Sequence, residues 1–331
     1  MTMRFPLMLA VVVLIVGLPS SFILPDYHLR LLNLAVISAI AVIGLNFAFG
    51  YAGLISLGHA AFVGMGAYAL AILTTRLGWS PWVAIPAAIG VTALVAAVVG
   101  FPLLRLKGHY FALATLGLNV AFYIVAANWI ELTGGTNGMS RIPELSLAGH
   151  ALSDERSYLW FALVVLAVIA ALAAVIHGSR HGRAMIAVRD DETAAAMSGI
   201  DVTGVKMSAF ILSAVCAAVA GCLFACHTRF VAPEDFNYAH SITYLAMLIV
   251  GGEGTIAGAI LGAVVLTFLP EWLRFLGSAY LAFFGVMVLA ILVFLPSGLA
   301  GLWRRRRPAA ASKRHAAGRG SGICRRLRGY P

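Results

Sequence analysis

Charged residues are scarce in this sequence. Only 11% of its 331 residues are Asp, Glu, Lys or Arg, whereas 61% are hydrophobic. A soluble domain carries about a quarter charged residues, because its surface must be hydrated. A chain with so little charge can neither cover a soluble globule of this size nor stay disordered in water. The composition therefore predicts an integral membrane protein.

Lysine is rarer still, and its positions bear on the source of energy. Lys107, Lys206 and Lys313 are the only lysines, and none follows a glycine-rich loop and precedes Ser or Thr. A phosphate-binding loop of an ATPase needs that context. We therefore predict a chain that is not an enzyme and hydrolyses no nucleotide by that route.

The four cysteines exclude a disulfide framework. Cys216, Cys222 and Cys226 fall within one apolar stretch, and Cys324 lies near the end of the chain. A metal site at Cys222 and Cys226 would need further ligands, for which His227 is the only local candidate. We expect buried free thiols and no metal.

Stretches without charge predict the membrane segments, because an ionisable residue at the centre of a bilayer helix costs about 3 kcal/mol. They cover residues 5–25, 31–75, 77–104, 108–130, 157–179, 207–228, 236–252, 254–270 and 275–303. The second is long enough for two helices and is interrupted by a turn-like string at 50–53. We predict an all-α fold with about ten membrane segments.

The two shortest stretches flank Gly251, Gly252, Glu253 and Gly254. They predict a short helical hairpin, which either crosses the membrane fully or is partly re-entrant. A re-entrant turn would have to face the interior of the bundle, where its backbone groups find partners. Small residues recur at every fourth position, which predicts closely packed helices: Gly254, Gly258 and Gly262, and Ser213, Ala217, Gly221 and Ala225.

The distribution of basic residues predicts the orientation. Most of the 23 Lys and Arg residues fall on one side of the ten-segment map, including the run that begins at Arg304. By the positive-inside rule, both termini and the loop from His177 to Lys206 are cytoplasmic, and residues 128–157 face outward. We read residues 1–303 as the membrane domain, with an uncleaved first helix, and 304–331 as a basic, disordered tail beside anionic lipid.

The loop from His177 to Lys206 is the only long polar segment on the cytoplasmic side. Within it, Arg183–Met197 predicts one amphipathic helix that ends at Ser198 and Gly199, and Gly199 is expected to adopt a left-handed conformation. The residues alone leave two interpretations open: a docking element for a partner, or a capped surface helix with no partner.

Polar residues inside the predicted segments are few, and they are the candidates for a translocation path: Asn46, Ser56, His59, Thr115 and Asn119. Hydrogen bonding between helices would equally explain them. A secondary carrier or channel working alone would need an intramembrane ionisable relay, for which only the imidazole of His59 is available. A structural scaffold subunit is a third possibility.

Five segments, in order, carry a resemblance to a known family. They read GLNFAFGYAGLISLGHAAFVGMGAYALA, LRLKGHYFALATLGLN, LTGGTNGMSRIP, GRAMIAVRDDETAAAMSGIDVTGVKMSAFILSAVCAAVAG and GGEGTIAGAILGA. The chain, up to about Leu302, resembles the LivM-type permeases of branched-chain amino acid ABC importers.

The resemblance implies a bacterial inner-membrane permease that moves leucine, isoleucine and valine, or alternatively urea, short amides or other amino acids. Its implied partners are a LivH-type permease, two cytoplasmic ATPases and a periplasmic binding protein, with membrane lipid and no nucleic acid. ATP and magnesium would bind to the ATPases, and no cofactor to this chain.

The resemblance also places an ATPase-coupling loop at Arg183, Arg189, Asp190, Asp191, Glu192, Ala195 and Gly199. We expect the acidic cluster of Asp190, Asp191 and Glu192 to pair with basic groups of an ATPase. The small side chains at 194–196 would then enter a groove of that partner.

Overall fold

The computed structural model describes residues 25–106, 108–147, 150–152, 154–273, 285, 298 and 299. The first predicted segment (5–25) and the basic tail (304–331) lie outside the described residues, as does nearly all of the last segment (275–303). The count of ten segments therefore stays a prediction.

The described residues form a helical bundle. Its helices are α1 Asp26–Leu45, α2 His59–Thr75, α3 Pro81–Leu103, α4 His109–Asn128, α5 Ile130–Thr133, α6 Glu155–Gly178, α7 Arg180–Asp190, α8 Glu192–Met197, α9 Val202–Thr228, α10 Tyr238–Gly251 and α11 Ile256–Trp272. Five of them, with α1 continued to Tyr51, are long and apolar enough to cross a membrane, and α2, α10 and α11 are shorter apolar helices. The prediction of an all-α membrane protein is confirmed.

Strands are minor and lie in the connections. Within the described residues they are β1 Met139–Ser140, β2 Ser146–Leu147, β3 His150–Ala151 and β4 Phe230–Val231. β1 pairs with β4 and β2 with β3, both antiparallel. The β1–β4 pair fastens the connection after α4 to the segment that follows α9.

The bundle has two rims. We call the rim that carries α7 and α8 the helical rim, and the opposite rim, which carries the four strands, the strand rim. α1 runs from one to the other: Tyr27, near its start, donates a hydrogen bond to Glu271 at the end of α11 (2.7 Å). Beyond its far end, the carbonyl of Gly50 accepts one from Arg189 of α7 (2.7 Å). α11 thus also runs between the rims, because its start follows the turn that contacts Asn46.

Three helices, α1, α2 and α9, occupy the centre of the described bundle, and 12 of the 17 residues of α2 are buried. In the most apolar part of each longer helix, 78% of the residues of α1 and 72% of those of α9 are buried, against 28% for both α3 and α4. α9 packs on α1, α2 and α3, while α1 packs on α6, α9 and α11. Lipid offers no hydrophobic drive for this association, so close backbone approach must supply it.

The predicted stripes of small residues lie at these contacts. A Cβ atom at Gly221 of α9 would come within 1.9 Å of the carbonyl oxygen of Val63 in α2. A Cβ atom at Gly262 of α11 would come equally close to the carbonyl oxygen of Met247 in α10. Only glycine therefore allows these helices to approach so closely, and the packing prediction is confirmed.

The interruption of the stretch 31–75 differs from the prediction. Instead of a turn at 50–53, the chain continues from α1 into a π-helix, Asn46–Tyr51, and then runs without regular structure until α2 begins at His59. Ser56 consequently lies outside any helix. The irregular backbone is tolerated because side chains from other helices bind it: the amide of Leu57 donates to Oγ1 of Thr115 (3.0 Å).

Candidate functional site

The polar loop at the helical rim contains two helices where the sequence predicted one. The stretch Arg183–Met197 is broken at Asp191, whose backbone is extended (φ −159°, ψ 111°). Its carboxylate accepts hydrogen bonds from the amides of Thr193 (2.8 Å) and Ala194 (3.0 Å). The prediction of a continuous helix is wrong, because an aspartate that caps free amides stabilises a new helix start better than helix continuation.

The C-terminal end of α8 agrees with the sequence prediction, whereas α7 begins at Arg180 rather than at Arg183. Ser179 caps α7 by accepting a hydrogen bond from the amide of Gly182 (3.2 Å). α8 ends before Gly199, whose φ of +79° is the left-handed conformation expected there. Asp201 then caps α9 through the amide of Gly204 (3.1 Å).

The acidic cluster is engaged within the chain. Asp190 pairs with Arg189 (3.0 Å), Asp191 caps α8, and Glu192 forms an ion pair with Lys206 at the start of α9. The Lys206 side chain is only 9% exposed. The Glu192–Lys206 pair joins α8 to α9. Lys206 was not among the predicted site residues because it lies 14 positions along the chain from Glu192.

The exposed surface of the loop helices is mainly polar, and α8 adds a small apolar patch to it. Ala194 and Ala196 point outward, whereas Ala195, which the sequence placed in the coupling loop, is buried against the bundle. Met197 is 85% exposed, a high value for a large apolar side chain. A partner at this rim would therefore meet Ala194, Ala196 and Met197 as well as the exposed carboxylates of the acidic cluster.

Two arginines of α7 point in different directions. Arg183 donates to the carbonyl of Gly178 just before its own helix (3.1 Å). Arg189 instead donates to the carbonyl of Gly50 in the π-helix (2.7 Å). The first contact is local, and the second joins the loop to the membrane bundle.

The turn between α10 and α11 meets the π-helix at the same rim. The amide of Gly254 donates to Oδ1 of Asn46 (2.9 Å). Gly251 and Gly252 are buried, whereas Glu253 is exposed. Asn46, a predicted path residue, thus holds the hairpin turn against the end of α1.

The other candidate path residues lie together in the bundle interior. Ser56, His59, Thr115 and Asn119 are each at most 2% exposed. Two serines that were not among the predicted path residues complete the cluster. Asn119 donates to Oγ of Ser241 (3.2 Å), and Ser213 lies 3.3 Å from Nδ1 of His59.

The imidazole of His59 is bonded on both sides. Nε2 lies 2.8 Å from the carbonyl oxygen of Ala41, which only accepts, so Nε2 carries a proton. Nδ1 of the neutral ring can then accept from the hydroxyl of Ser213. These contacts join α1, α2 and α9, and contact of any of the cluster with a transported molecule stays a prediction.

A polar cleft of about 190 Å³ opens at the strand rim, lined in part by Arg30, Asp154, Glu155, Tyr158 and His227. Glu155 accepts a hydrogen bond from Asn33 of α1 (2.9 Å) and faces His227 of α9 (3.6 Å). Cys216, Cys222 and Cys226 are buried free thiols. Among the described residues, no group of three His, Cys, Asp or Glu side chains could hold a metal ion.

The sequence of the chain matches a known protein family. A family model described as "Branched-chain amino acid transport system / permease component" matches residues 27–296. No solved structure matches the chain.

The chain is also similar to curated proteins of two kinds. One is the high-affinity branched-chain amino acid transport system permease protein LivM of Salmonella typhimurium, which is 32% identical over 314 residues (88% of this chain, 74% of the relative). LivM of Escherichia coli K12 is 32% identical over 320 residues (90% and 75%). LivH of the same strain is 25% identical over 288 residues (80% and 91%).

Proposed function

The chain belongs to the family of branched-chain amino acid transport system permease components, and we propose that it is the LivM-type membrane subunit of an ABC importer. In this role it moves leucine, isoleucine and valine into the cytoplasm. The observation that carries the proposal is the family match, which extends over nearly all the described helices.

The energy for transport comes from other subunits in this proposal. Two cytoplasmic ATPases bind ATP and magnesium, a homologous LivH-type permease completes the pathway, and a periplasmic protein delivers the amino acid. The chain itself is a multi-pass transport subunit. The bacterial inner membrane is its location, with both termini and the helical rim in the cytoplasm.

The ATPase docks on the loop helices through an apolar contact. Ala194 and Ala196 give α8 a narrow surface, and Met197 projects from its end. An unbranched, flexible methionine fills irregular grooves well. The carboxylates nearby support this surface from behind, because Glu192 anchors α8 to Lys206 of α9.

Reconstitution tests the function. The chain is placed in liposomes with the LivH-type permease, the two ATPases and the binding protein, and uptake of labelled leucine is measured with and without ATP. We expect uptake of labelled leucine to depend on ATP. Unlabelled isoleucine and valine should reduce this uptake by competition, and urea should not. Uptake by the chain alone, or competition by urea only, would contradict the proposal.

Docking is measured separately by co-purification of the ATPases. Met197→Asp places a charge on the exposed apolar surface and should reduce the ATPase recovered, while Met197→Leu, of similar volume, should not. Both variants should insert normally, since the side chain makes little contact with the rest of the chain. Equal recovery with Asp and Leu would place the docking surface elsewhere.

A further inference from the structure

Arg189 connects the loop helices to the π-helix at the end of α1. Arg189 lies in the last turn of α7, and its Nη1 donates to the carbonyl of Gly50 (2.7 Å). Its Nε and Nη2 donate to Oδ1 of Asp190 (3.2 and 3.0 Å), which fixes the plane of the guanidinium. A hydrogen bond from a charged donor to a carbonyl is stronger than a neutral one.

The guanidinium lies against backbone that has no side chains. A Cβ atom at Gly53 would come within 2.9 Å of Cγ of Arg189, and one at Gly254 within 3.5 Å of its Nη1. Both glycines have a φ of +71°, which other residues rarely adopt. The chain therefore leaves room for Arg189 on two separate segments, the one after the π-helix and the one between α10 and α11.

Asn46, at the start of the π-helix, contacts the same two glycine segments as Arg189. Its Oδ1 accepts from the amide of Gly254 (2.9 Å), and a Cβ atom at Gly50 would lie 1.9 Å from the same oxygen. Arg189 and the side chain of Asn46 therefore both contact Gly50, Arg189 at its carbonyl and Asn46 beside its Cα. Three segments far apart in sequence are locked together through one arginine, one asparagine and three glycines.

The segment that Arg189 binds is a π-helix, which is rare and is often found at functional sites. A π-turn holds one more residue than an α-helical turn, so it can relax into α-helical geometry by a discrete shift in register. Coupling between distant sites needs such an element with two arrangements.

We propose that Arg189 is a positioning residue for transport, which ties the π-helix end of α1 and the α10–α11 turn to the loop helices. The inference rests on the proposed function, in which ATPases displace α7 and α8. Through Arg189, that displacement reaches α1, one of the helices at the centre of the described bundle.

Arg183 provides the matched control. It is also an arginine of α7 that binds a carbonyl, but that carbonyl, of Gly178, is five residues away in the chain rather than 139. Arg189→Ala and Arg183→Ala are each reconstituted in the full assembly, and leucine uptake and ATP hydrolysis are measured in the same liposomes. We expect ATPase recovery and hydrolysis to be retained in both variants.

Uptake per ATP hydrolysed separates the two variants. It should fall about tenfold in Arg189→Ala, within the usual range of coupling changes, and by far less in Arg183→Ala, whose carbonyl contact stays within the loop. A merely structural arginine would lower recovery and uptake together and leave the ratio intact. If Arg189→Ala does not assemble, Arg189→Lys is compared with Arg183→Lys by the same ratio.

A distance measurement tests the link directly. Spin labels are placed at Arg180→Cys and Glu253→Cys, both exposed, in a chain whose own cysteines are replaced. With Arg189 present, ATP should leave the distance between the labels unchanged, because the two segments move together. In Arg189→Ala, ATP should shift or broaden it.

The outcomes distinguish the inference from the function on which it rests. An unaltered assembly that shows no ATP-dependent uptake overturns both. An assembly that transports, while Arg189→Ala keeps the normal uptake per ATP and an ATP-independent distance, overturns the inference alone.

Discussion

At the helical rim, two long-range contacts join a side chain to backbone at a glycine, whereas the strand rim combines the backbone pairing of β1 and β4 with an exposed ion pair. Arg189 binds the carbonyl of Gly50 and Asn46 binds the amide of Gly254. Across the strand rim, Arg229 pairs with Glu144 (2.6 Å). A Cβ atom at Gly50 has no room, while exposed ion pairs adjust at little cost. The contacts around Gly50 are thus more exacting than the Arg229–Glu144 pair.

We first predict on which side of the membrane each rim lies. Asn137→Cys at the strand rim and Ser198→Cys at the helical rim are both exposed positions, tested in a chain without its own cysteines. In intact cells, a membrane-impermeant maleimide should label the cysteine at 137 fully and spare the one at 198. Both should react after permeabilisation, and the reverse pattern in intact cells would invert the orientation.

The largest energetic effect should come from Gly50→Ala. The added Cβ would lie 1.9 Å from Oδ1 of Asn46 and 2.8 Å from the amide nitrogen of Gly254. Overpacking of this kind costs about 1–3 kcal/mol or more. Gly90→Ala is the control, since a Cβ there meets no atom within 4 Å. In detergent, the melting temperature should fall clearly for Gly50→Ala and hardly at all for Gly90→Ala. Equal melting temperatures would mean that the helical rim accommodates the added methyl group without cost.

A smaller effect is expected when the ion pair behind α8 is reversed. Glu192→Lys places a second positive charge beside the buried Lys206, and α8 should detach. The local cost should be about 1–3 kcal/mol, seen as faster proteolysis of the loop. Adding Lys206→Glu should restore much of the protection, because the swapped pair is again neutral. No rescue by the double variant would show that the residues act independently.

The smallest effect belongs to the strand rim. Glu144→Gln removes the charge that faces Arg229, whose side chain is 47% exposed. Exposed ion pairs contribute about 0.2–1 kcal/mol, so melting and uptake should change little. A loss as large as that of Gly50→Ala would remove the contrast between the rims.

Charge positions predicted the membrane helices well. The stretches 77–104 and 157–179 became Pro81–Leu103 and Glu155–Gly178 because lipid penalises charge so strongly. The breaks inside the stretches were predicted less well. Asp191 interrupts a good helix former by capping, and Leu57 finds its partner in Thr115, 58 residues away. Neither of these contacts can be recognised from the residues nearby in the sequence.

The sequence also did not predict which helices occupy the centre of the bundle. α1 and α3 are both strongly apolar, yet α1 is buried and α3 is exposed. In a soluble protein an apolar face marks the core, but in a membrane the outer faces are apolar too. Only the stripe of small residues from Ser213 to Ala225 indicated that α9 packs on several neighbours.

The shielding of α1 and α9 implies that the bilayer acts on the transporter through other helices. Leu94 and Val98 of α3 and Leu113 and Ile124 of α4 point outward. At 23 and 20 residues, these helices are about 34 and 30 Å long. They match a hydrocarbon layer of about 30 Å with little tilt. A thinner or thicker membrane would therefore tilt the exposed helices α3 and α4 first, and α1 and α9 would respond through the helices that pack on them.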